Sequence, residues 1–257
     1  MIEAENAKKW QGISAGMLKM IAVLVMFIDH AALAVLARLL LTGTGDHEVY
    51  VIYKVMRQIG RSAFPIYCYL LVEGLHYSRN KWNYLGRLGL FALISEIPFD
   101  LAFQSTMLEF GYQNVFFTLA IGLFMLIVIQ KIEGRQFFPQ NKQLDLLVRS
   151  GLILLTAGLG MGAAEILKTD YGLKGIFCIF ILYIFRRNRR LQLVAGYLAF
   201  LFVVEEPAAL PAFLLLALYR GKKGWSCKYF FYAFYPVHLL LLYFLCVAMG
   251  IGACPAL

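Results

Sequence analysis

Two residues with titratable side chains, Lys19 and His30, flank ten residues that are mostly apolar. A helix turns about 100° per residue, so positions eleven apart lie within roughly 20° of one face. A rise of about 1.5 Å per residue separates them by about 16 Å along the axis. Imidazole titrates near neutral pH and can act as a general base, whereas a lysine ammonium binds phosphate as a point charge. The spacing predicts one helix face with an anion-binding cation and a base.

The composition indicates what kind of chain must position these two residues. Of its 257 residues 61% are hydrophobic, and the mean hydropathy is +0.71. Ordinary soluble domains are about 45–50% apolar. We therefore expect an all-α, polytopic integral membrane bundle in which residues 1–257 form a single transmembrane domain. The formal net charge of +9 is expected to lie in loops and to set topology rather than to bind nucleic acid.

The hydropathy pattern predicts about nine transmembrane helices, with a range of eight to ten. They cover residues 15–41, 58–76, 85–103, 114–130, 146–166, 175–185, 191–204, 208–219 and 229–251. Loops rich in Lys and Arg follow the even-numbered spans, which predicts a cytoplasmic N-terminus. Spans seven and eight have about 13 residues each. The alternatives for them are strongly tilted segments, re-entrant segments, or segments joined at the Pro207 and Pro211 kinks.

The cysteines carry no metal-binding or disulfide pattern. They are Cys68, Cys178, Cys227, Cys246 and Cys254, with no CxxC pair and no histidine at metal spacing. Most lie in apolar runs, where cysteine behaves as a small hydrophobic residue. We expect no structural disulfide and no metal.

Charged side chains in spans two and three are candidates for a functional site, because ionisable residues inside a membrane are costly. Arg57 and Arg61 are four residues apart, as are Glu96 and Asp100, so each pair shares a helix face. One interpretation is a buried salt-bridge network between the two spans. The others are an anion or substrate site, or arginines that extend to the lipid headgroups.

Three further polar residues are candidates for substrate binding. Asn114 begins span four, and Tyr235 and His238 flank a proline in span nine. A proline frees backbone carbonyls, which is typical of a polar site in a membrane helix. For His238 a hydrogen-bonded packing role is the alternative. Glu165 and Glu206 are expected to cap helix ends.

His30 is the best candidate for a catalytic base, with Glu96 and Asp29 as further candidate catalytic residues. Asp29 is its sequence neighbour, points about 100° away, and is expected to bind another span more than to orient the imidazole. No Ser or Cys lies one turn from His30. The sequence therefore favours direct acyl transfer over a covalent serine intermediate, and a transient acyl-histidine remains open.

The acyl donor is expected to come from the cytoplasm. Lys19, with Arg79 and Lys81 of the loop after span two, is placed to bind the phosphates of a carrier. A pantetheine arm is comparable in length to the ~16 Å that separates Lys19 from His30. Acyl-coenzyme A is therefore the expected donor.

Short sequence strings extend this interpretation to a family. They are LKMIA (18–22), IDH (28–30), IGRSAFPI (59–66), EG (73–74), SRN (78–80), ISEIPFD (94–100), NVFFT (114–118), DYG (170–172) and FYPVHL (234–239). A basic residue, ten residues and a histidine in the first helix resemble membrane acyltransferases of the acyltransferase-3 type. More specifically, the strings and their order resemble the TraX family, whose founding activity is N-terminal acetylation of F-type pilin.

The resemblance implies an acetyltransferase of the bacterial inner membrane that uses acetyl-CoA. The acceptor would be an amine or hydroxyl of a pilin-like N-terminus, a peptide or a glycan, reached in the outer half of the membrane. One alternative is a proton-coupled transporter that uses Asp29, His30, Glu96 and His238 as a relay. The absence of a visible inverted repeat disfavours it. A non-catalytic membrane partner of a secretion apparatus is the third possibility.

Overall fold

The computed structural model describes residues 12–225 and 227–252, and this part of the chain is helical without a named strand. The helices are α1 (Ala15–Leu41), α2 (His47–Gly60), α3 (Ala63–Tyr77), α4 (Lys81–Gln104), α5 (Val115–Glu133), α6 (Lys142–Ile166), α7 (Gly172–Ile184), α8 (Arg189–Ala199), α9 (Pro207–Ala217) and α10 (Lys228–Ala248). Two of them contain or continue into a π-helical turn: Ala32–Leu36 lies within α1, and Phe200–Val204 follows α8. Cys254 lies outside the described residues.

Local sequence signals explain where most helices begin. Six start beside a side-chain oxygen that accepts a hydrogen bond from a backbone N–H in the first turn, which satisfies a group with no partner inside the helix. The six capping residues are Ser14, Asp46, Asn80, Asn114, Asn141 and Asn188. One of them, Asn114, also takes part in the site described below.

Among the described residues, four helices are long and apolar enough to cross a membrane: α1, α5, α6 and residues Tyr229–Ala248 of α10. Two shorter apolar helices, α7 and α9, fall below that length. The predicted helical bundle is therefore confirmed as an all-helical fold with candidate membrane spans, whereas the count of about nine spans is not confirmed.

Predicted span two is wrong in its boundaries, because two helices occupy this region. α2 ends at Gly60, and α3 begins at Ala63. Pro65 explains the interruption: it has no N–H to donate to the carbonyl of Arg61, and its ring clashes with that carbonyl in a continuous helix. Arg57 therefore lies on α2 and Arg61 at its C-terminal end. Arg61 N donates to Arg57 O at 3.2 Å, so the two arginines remain one helical turn apart.

The packing of the helices places the candidate residues. α1 lies against α2, α3 and α10, and α10 makes its most extensive contact with α4. α5 packs against α4, α6 and α7. The polar residues of α1 therefore have α2 on one side and α10 on another, and those of α4 have α5 beside them.

Candidate functional site

Two histidines from opposite ends of the sequence meet between α1 and α10. Nδ1 of His30 lies 2.7 Å from Nε2 of His238, and the two rings are stacked, with centroids 5.0 Å apart. Nδ1 of His238 lies 2.7 Å from the carbonyl oxygen of Phe234, one turn earlier in α10. His238 is buried and His30 is half-buried. The two imidazoles and the carbonyl form one continuous hydrogen-bonded chain.

This chain assigns the protons of the neutral pair. A carbonyl oxygen only accepts, so Nδ1 of His238 carries the proton and its Nε2 is an acceptor. Nδ1 of His30 must then donate to that Nε2. The other ring nitrogen of His30, Nε2, keeps its lone pair and is the nitrogen that can act as a base.

Two aromatic rings pack against the His30 imidazole nearly at right angles to it. The ring centroids of Phe103 and Tyr235 lie 5.4 and 5.6 Å from that of His30, both in edge-to-face geometry. The π-helical turn Ala32–Leu36 begins two residues after His30. Such turns are rare and are frequent at functional sites.

Asp29 makes contacts on a different side of α1. Its Oδ2 accepts a hydrogen bond of 2.6 Å from Nη1 of Arg57 in an ion pair with α2. Gly60 allows the close approach, because a Cβ there would lie 2.2 Å from the Cβ of Asp29. Asp29 therefore joins α1 to α2, as expected from its direction, while His30 faces α10.

Of the interpretations left open for the arginines of span two and the acids of span three, the salt-bridge network between them is wrong. Arg57 pairs with Asp29, and Nη1 of Arg61 lies 2.8 Å from Oε1 of Glu206. The packing of α1 on α2 explains the first pair, because it brings Asp29 beside Arg57. Glu206 is an ion-pair partner and not the helix cap that we expected.

Amide groups, and not arginines, hold the acids of α4. The side-chain amide of Asn114 donates to Oε2 of Glu96, and its carbonyl oxygen accepts from Phe116 N at 3.0 Å. Asp100 accepts a 2.8 Å hydrogen bond from the backbone N–H of Glu109. Both acids are buried, and in each the second carboxylate oxygen has no hydrogen-bond partner among the described residues.

An additional acid near this site was not among our candidate site residues. Asp170, in the loop between α6 and α7, accepts a 2.7 Å hydrogen bond from the Tyr112 hydroxyl. Its backbone carbonyl accepts from the Thr118 hydroxyl. Burial raises the pKa of Asp170 to about 6, although the Tyr112 hydrogen bond opposes the shift. The string DYG at 170–172 was the signal for it. Glu165 caps α7 as expected, since its carboxylate accepts from Leu173 N at 3.3 Å.

A cavity of about 250 Å³ extends along α1 from Lys19 toward the histidine pair. Half-exposed side chains line its open end, among them Lys19, Tyr84 and Arg87. Buried side chains line its inner end, among them Met26 and Tyr235. The cavity is thus polar where it opens and apolar where it ends.

The cavity ends one aromatic ring short of His30. His30 is not among its lining residues, whereas Tyr235, whose ring centroid lies 5.6 Å from that of the imidazole, is. Met26, one helical turn before His30, also lines it. Lys19 therefore opens on a cavity that approaches His30 closely, and the Tyr235 ring lies between the cavity and the base.

The other two candidates for binding a donor lie beside the cavity. Arg79 and Lys81 line a second depression together with Gln130 and Lys131. Nζ of Lys81 donates a 2.5 Å hydrogen bond to the side-chain oxygen of Gln130. The structure therefore brings together Lys19 with Arg87, and not Lys19 with Arg79 and Lys81. Arg87 was a loop cation in the sequence that we had not singled out.

Arg38 is a buried charge that the sequence interpretation missed. Its guanidinium donates hydrogen bonds to the carbonyl of Ala34 at 3.0 Å and to the hydroxyl of Ser105 at 2.9 Å. It thus ties the end of α1 to the end of α4. An arginine inside the apolar run 17–41 was itself the signal that would have identified it.

The described residues contain no cluster of three or more His, Cys, Asp or Glu side chains that could hold a metal ion. The four cysteines in this part of the chain, Cys68, Cys178, Cys227 and Cys246, are free.

The fold and these polar contacts define an all-helical chain with candidate membrane spans and a paired-histidine site. The family model described as TraX protein matches residues 14–246. The chain therefore belongs to the TraX family, which confirms the resemblance. It is similar to a probable fimbrial assembly protein, FimC of serogroup H1, from Dichelobacter nodosus, at 33% identity over 257 aligned positions that cover 89% of this chain and 94% of the relative. No solved structure matches the chain.

Proposed function

We propose that this chain is a membrane acyltransferase that moves an acetyl group from acetyl-CoA to an amine or hydroxyl acceptor, with His30 as general base. The observation that carries the proposal is the hydrogen-bonded chain from His30 through His238 to the Phe234 carbonyl. It leaves Nε2 of His30 unprotonated beside the end of a cavity. A base fixed in one tautomer suits proton abstraction from an attacking nucleophile.

The reaction needs only this one base. Nε2 of His30 takes the proton of the acceptor as its nitrogen or oxygen attacks the thioester carbon. The new C–N or C–O bond forms while the C–S bond breaks, and the leaving thiolate receives the proton back from His30. During the step His30 is a cation, and its Nδ1–H bond to His238 becomes charge-assisted and therefore stronger.

The cavity supports the route for the donor. Lys19 at its open end binds phosphate, and the apolar walls near Met26 accommodate a pantetheine arm. The distance of ~16 Å along α1 matches the length of that arm. In this proposal the Tyr235 side chain turns aside to let the thioester reach Nε2 of His30. Arg79 and Lys81, in the neighbouring depression, add positive charge near the entry.

The acids of α4 support an amine acceptor. Glu96 and Asp100 each present a buried carboxylate oxygen that lacks a partner among the described residues. A buried acceptor of this kind is costly unless a donor reaches it, and the N–H groups of a neutral amine can supply that donor while its lone pair stays free to attack. Asn114 orients Glu96, while Arg57 and Arg61 are proposed to hold the surrounding acids in place.

The family and the relative support the proposed setting. The TraX family is associated with pilin acetylation, and the D. nodosus relative is named for fimbrial assembly. A pilin-like N-terminus is therefore the first acceptor to test. We propose an inner-membrane location with about nine spans and a cytoplasmic N-terminus, in which the short helices cross with tilt or re-enter.

A transfer assay tests the proposal. The purified full-length chain in nanodiscs is incubated with acetyl-CoA labelled in the acetyl group and with a pilin-like peptide carrying a free N-terminus. We expect label in the peptide with the native chain and none with His30→Ala. A peptide with a blocked N-terminus is the matched acceptor control.

Two results would contradict the proposal. Absence of transfer to amine, hydroxyl and glycan acceptors by a chain that is folded and binds coenzyme A would exclude the acyltransferase. Proton-coupled solute flux in proteoliposomes without coenzyme A would instead support the transporter interpretation.

A further inference from the structure

Two cations line the open end of the cavity, and a third from another part of the chain lies near one of them. Lys19 lies on α1 and Arg87 on α4, and both line the cavity. Lys223 lies in the segment after α9 and is close enough for its charge to act on Lys19. Like charges repel, so such a group is stable only when an anion or solvent compensates them. We infer that Lys19, Arg87 and Lys223 form a phosphate site that selects a phosphorylated donor over its unphosphorylated equivalent.

Arg87 is the strongest single indication of a missing ligand. Its guanidinium lies over the Tyr84 ring at 5.8 Å and contacts the Tyr232 hydroxyl, and both tyrosines line the same cavity. Its Nε–H is buried and has no hydrogen-bond partner among the described residues. A buried donor without an acceptor is costly. Arg87 also lines the cavity, and its guanidinium, held by two aromatic side chains, is ready to bind a phosphate oxygen there.

Backbone hydrogen bonds place Lys223 at this site. The residues 220–225, here named the strap, lie along the start of α1. Ala15 N donates to Lys222 O at 2.8 Å, and Gly16 N donates to Lys223 O at 3.1 Å. These bonds use N–H groups of the first turn of α1, which have no partner inside the helix. Lys223 is therefore fixed within one turn of Lys19.

Two glycines permit this close contact. A Cβ at Gly16 would lie 2.5 Å from the carbonyl oxygen of Trp225, and Gly224 has a φ of +64°. A side chain at Gly16 would displace the strap without changing any charge. Gly16→Ala therefore moves Lys223 while keeping its charge, and so tests whether phosphate binding depends on where Lys223 lies.

The inference rests on the proposed function, because it assigns the donor's phosphates to named residues. It also assigns two different roles to the cations on this side of the protein. Lys19, Arg87 and Lys223 bind phosphate, whereas Arg79 and Lys81 line a different depression and contribute only long-range attraction.

Binding measurements on the full-length chain in nanodiscs test the inference. The probes are coenzyme A, dephospho-coenzyme A, which lacks the 3′-phosphate, and pantetheine, which lacks all phosphates. We expect Arg87→Gln and Lys223→Gln each to weaken coenzyme A binding about tenfold and to leave pantetheine binding unchanged, since each removes one charged contact. Gly16→Ala should reproduce the Lys223→Gln defect. Arg87→Lys keeps the charge but loses Nε–H, and should fall between native and Arg87→Gln.

Lys54→Gln is the matched control, because Lys54 is exposed on α2 and lies over the Tyr50 ring. Coenzyme A binding by Arg87→Gln and Lys223→Gln equal to that of this control would overturn the inference, even if acetyl transfer persists. The reverse result, phosphate-dependent binding without transfer to any acceptor, would support the site and exclude the acyltransferase. A native chain that binds neither coenzyme A nor dephospho-coenzyme A would exclude both.

Discussion

Asp29 and His30 are neighbours in the sequence, yet they belong to two different networks. Asp29 forms an ion pair with Arg57 and packs on Gly60 of α2. His30 forms a neutral hydrogen-bonded pair with His238 of α10. One step of about 100° around α1 separates a contact between helices from a candidate base.

The difference concerns charge as well as direction. The Asp29–Arg57 pair joins two opposite charges through Oδ2 of Asp29 and holds α2 against α1, although Oδ1 of Asp29 has no hydrogen-bond partner among the described residues. The His30–His238 pair leaves one nitrogen lone pair unused, which is what a base requires. Adjacency to an acid in the sequence is therefore a poor guide to a catalytic dyad in a helix, where neighbours diverge.

The sharpest test of this comparison is a pair of isosteric changes at the two positions. We expect His30→Gln to lower acetyl transfer by about 10²–10⁴-fold, because a general base contributes about that much. Asp29→Asn should change transfer by less than about tenfold, because its carboxylate contacts Arg57 and not the imidazole. Initial rates at saturating acetyl-CoA measure both. If Asp29→Asn folds normally and loses as much acetyl transfer as His30→Gln, then Asp29 and His30 belong to one functional network.

A second test removes the partner of the base. In the proposed role His238 is a positioning residue, so His238→Leu should lower kcat by about 100-fold and leave the KM for acetyl-CoA unchanged. His238→Gln should restore much of the rate, because its amide oxygen can accept the Nδ1–H of His30. Equal defects in both variants would show that His238 only packs. Coenzyme A binding checks that the donor site survives.

The sequence predicted the helices better than their contacts. Hydropathy located the long apolar helices within a few residues, as at α1 and α5, since runs of apolar residues leave few alternatives. It missed α2, which carries Glu48, Lys54 and Arg57 among its apolar residues and is too polar to look like a span. It also missed the effect of Pro65, which divides predicted span two.

Site partners were harder to predict, because a sequence gives the position of a residue along a helix but not which neighbour it faces. One interpretation paired Glu96 with Arg57 across spans two and three, but Asn114 and Asp29 are their actual partners. His30 and His238, by contrast, were both selected as unusual polar residues in apolar helices. Their contact needed the packing of α1 on α10, 208 residues apart in the sequence.

The packing of Gly60 offers a test of the α1–α2 contact alone. Gly60→Ala places a Cβ within 2.2–2.5 Å of three Asp29 side-chain atoms. Overpacking at such a contact costs about 1–3 kcal/mol, so we expect a lower free energy of unfolding in mixed micelles. Gly43→Ala is an unsuitable control because of its positive φ, whereas Gly86→Ala adds a Cβ to open space in a helix and should not destabilise. Equal stability of the Gly60 and Gly86 variants would contradict the close contact.

The smallest expected effect is the difference in coupling free energy between the Asp29–Arg57 pair and an exposed ion pair. Its atoms are 2.6 Å apart and its side chains are 18% and 17% exposed, whereas Lys174 and Glu205 are 3.8 Å apart and 48% and 79% exposed. A double-mutant cycle with Asp29→Asn and Arg57→Gln should give a coupling free energy of about 1–2 kcal/mol, between the values of surface and buried pairs. The matched cycle at Lys174 and Glu205 should give less than about 0.5 kcal/mol, because solvent screens it. If the first coupling is no larger than the second, α2 is held by its apolar contacts and Asp29 is available for another role.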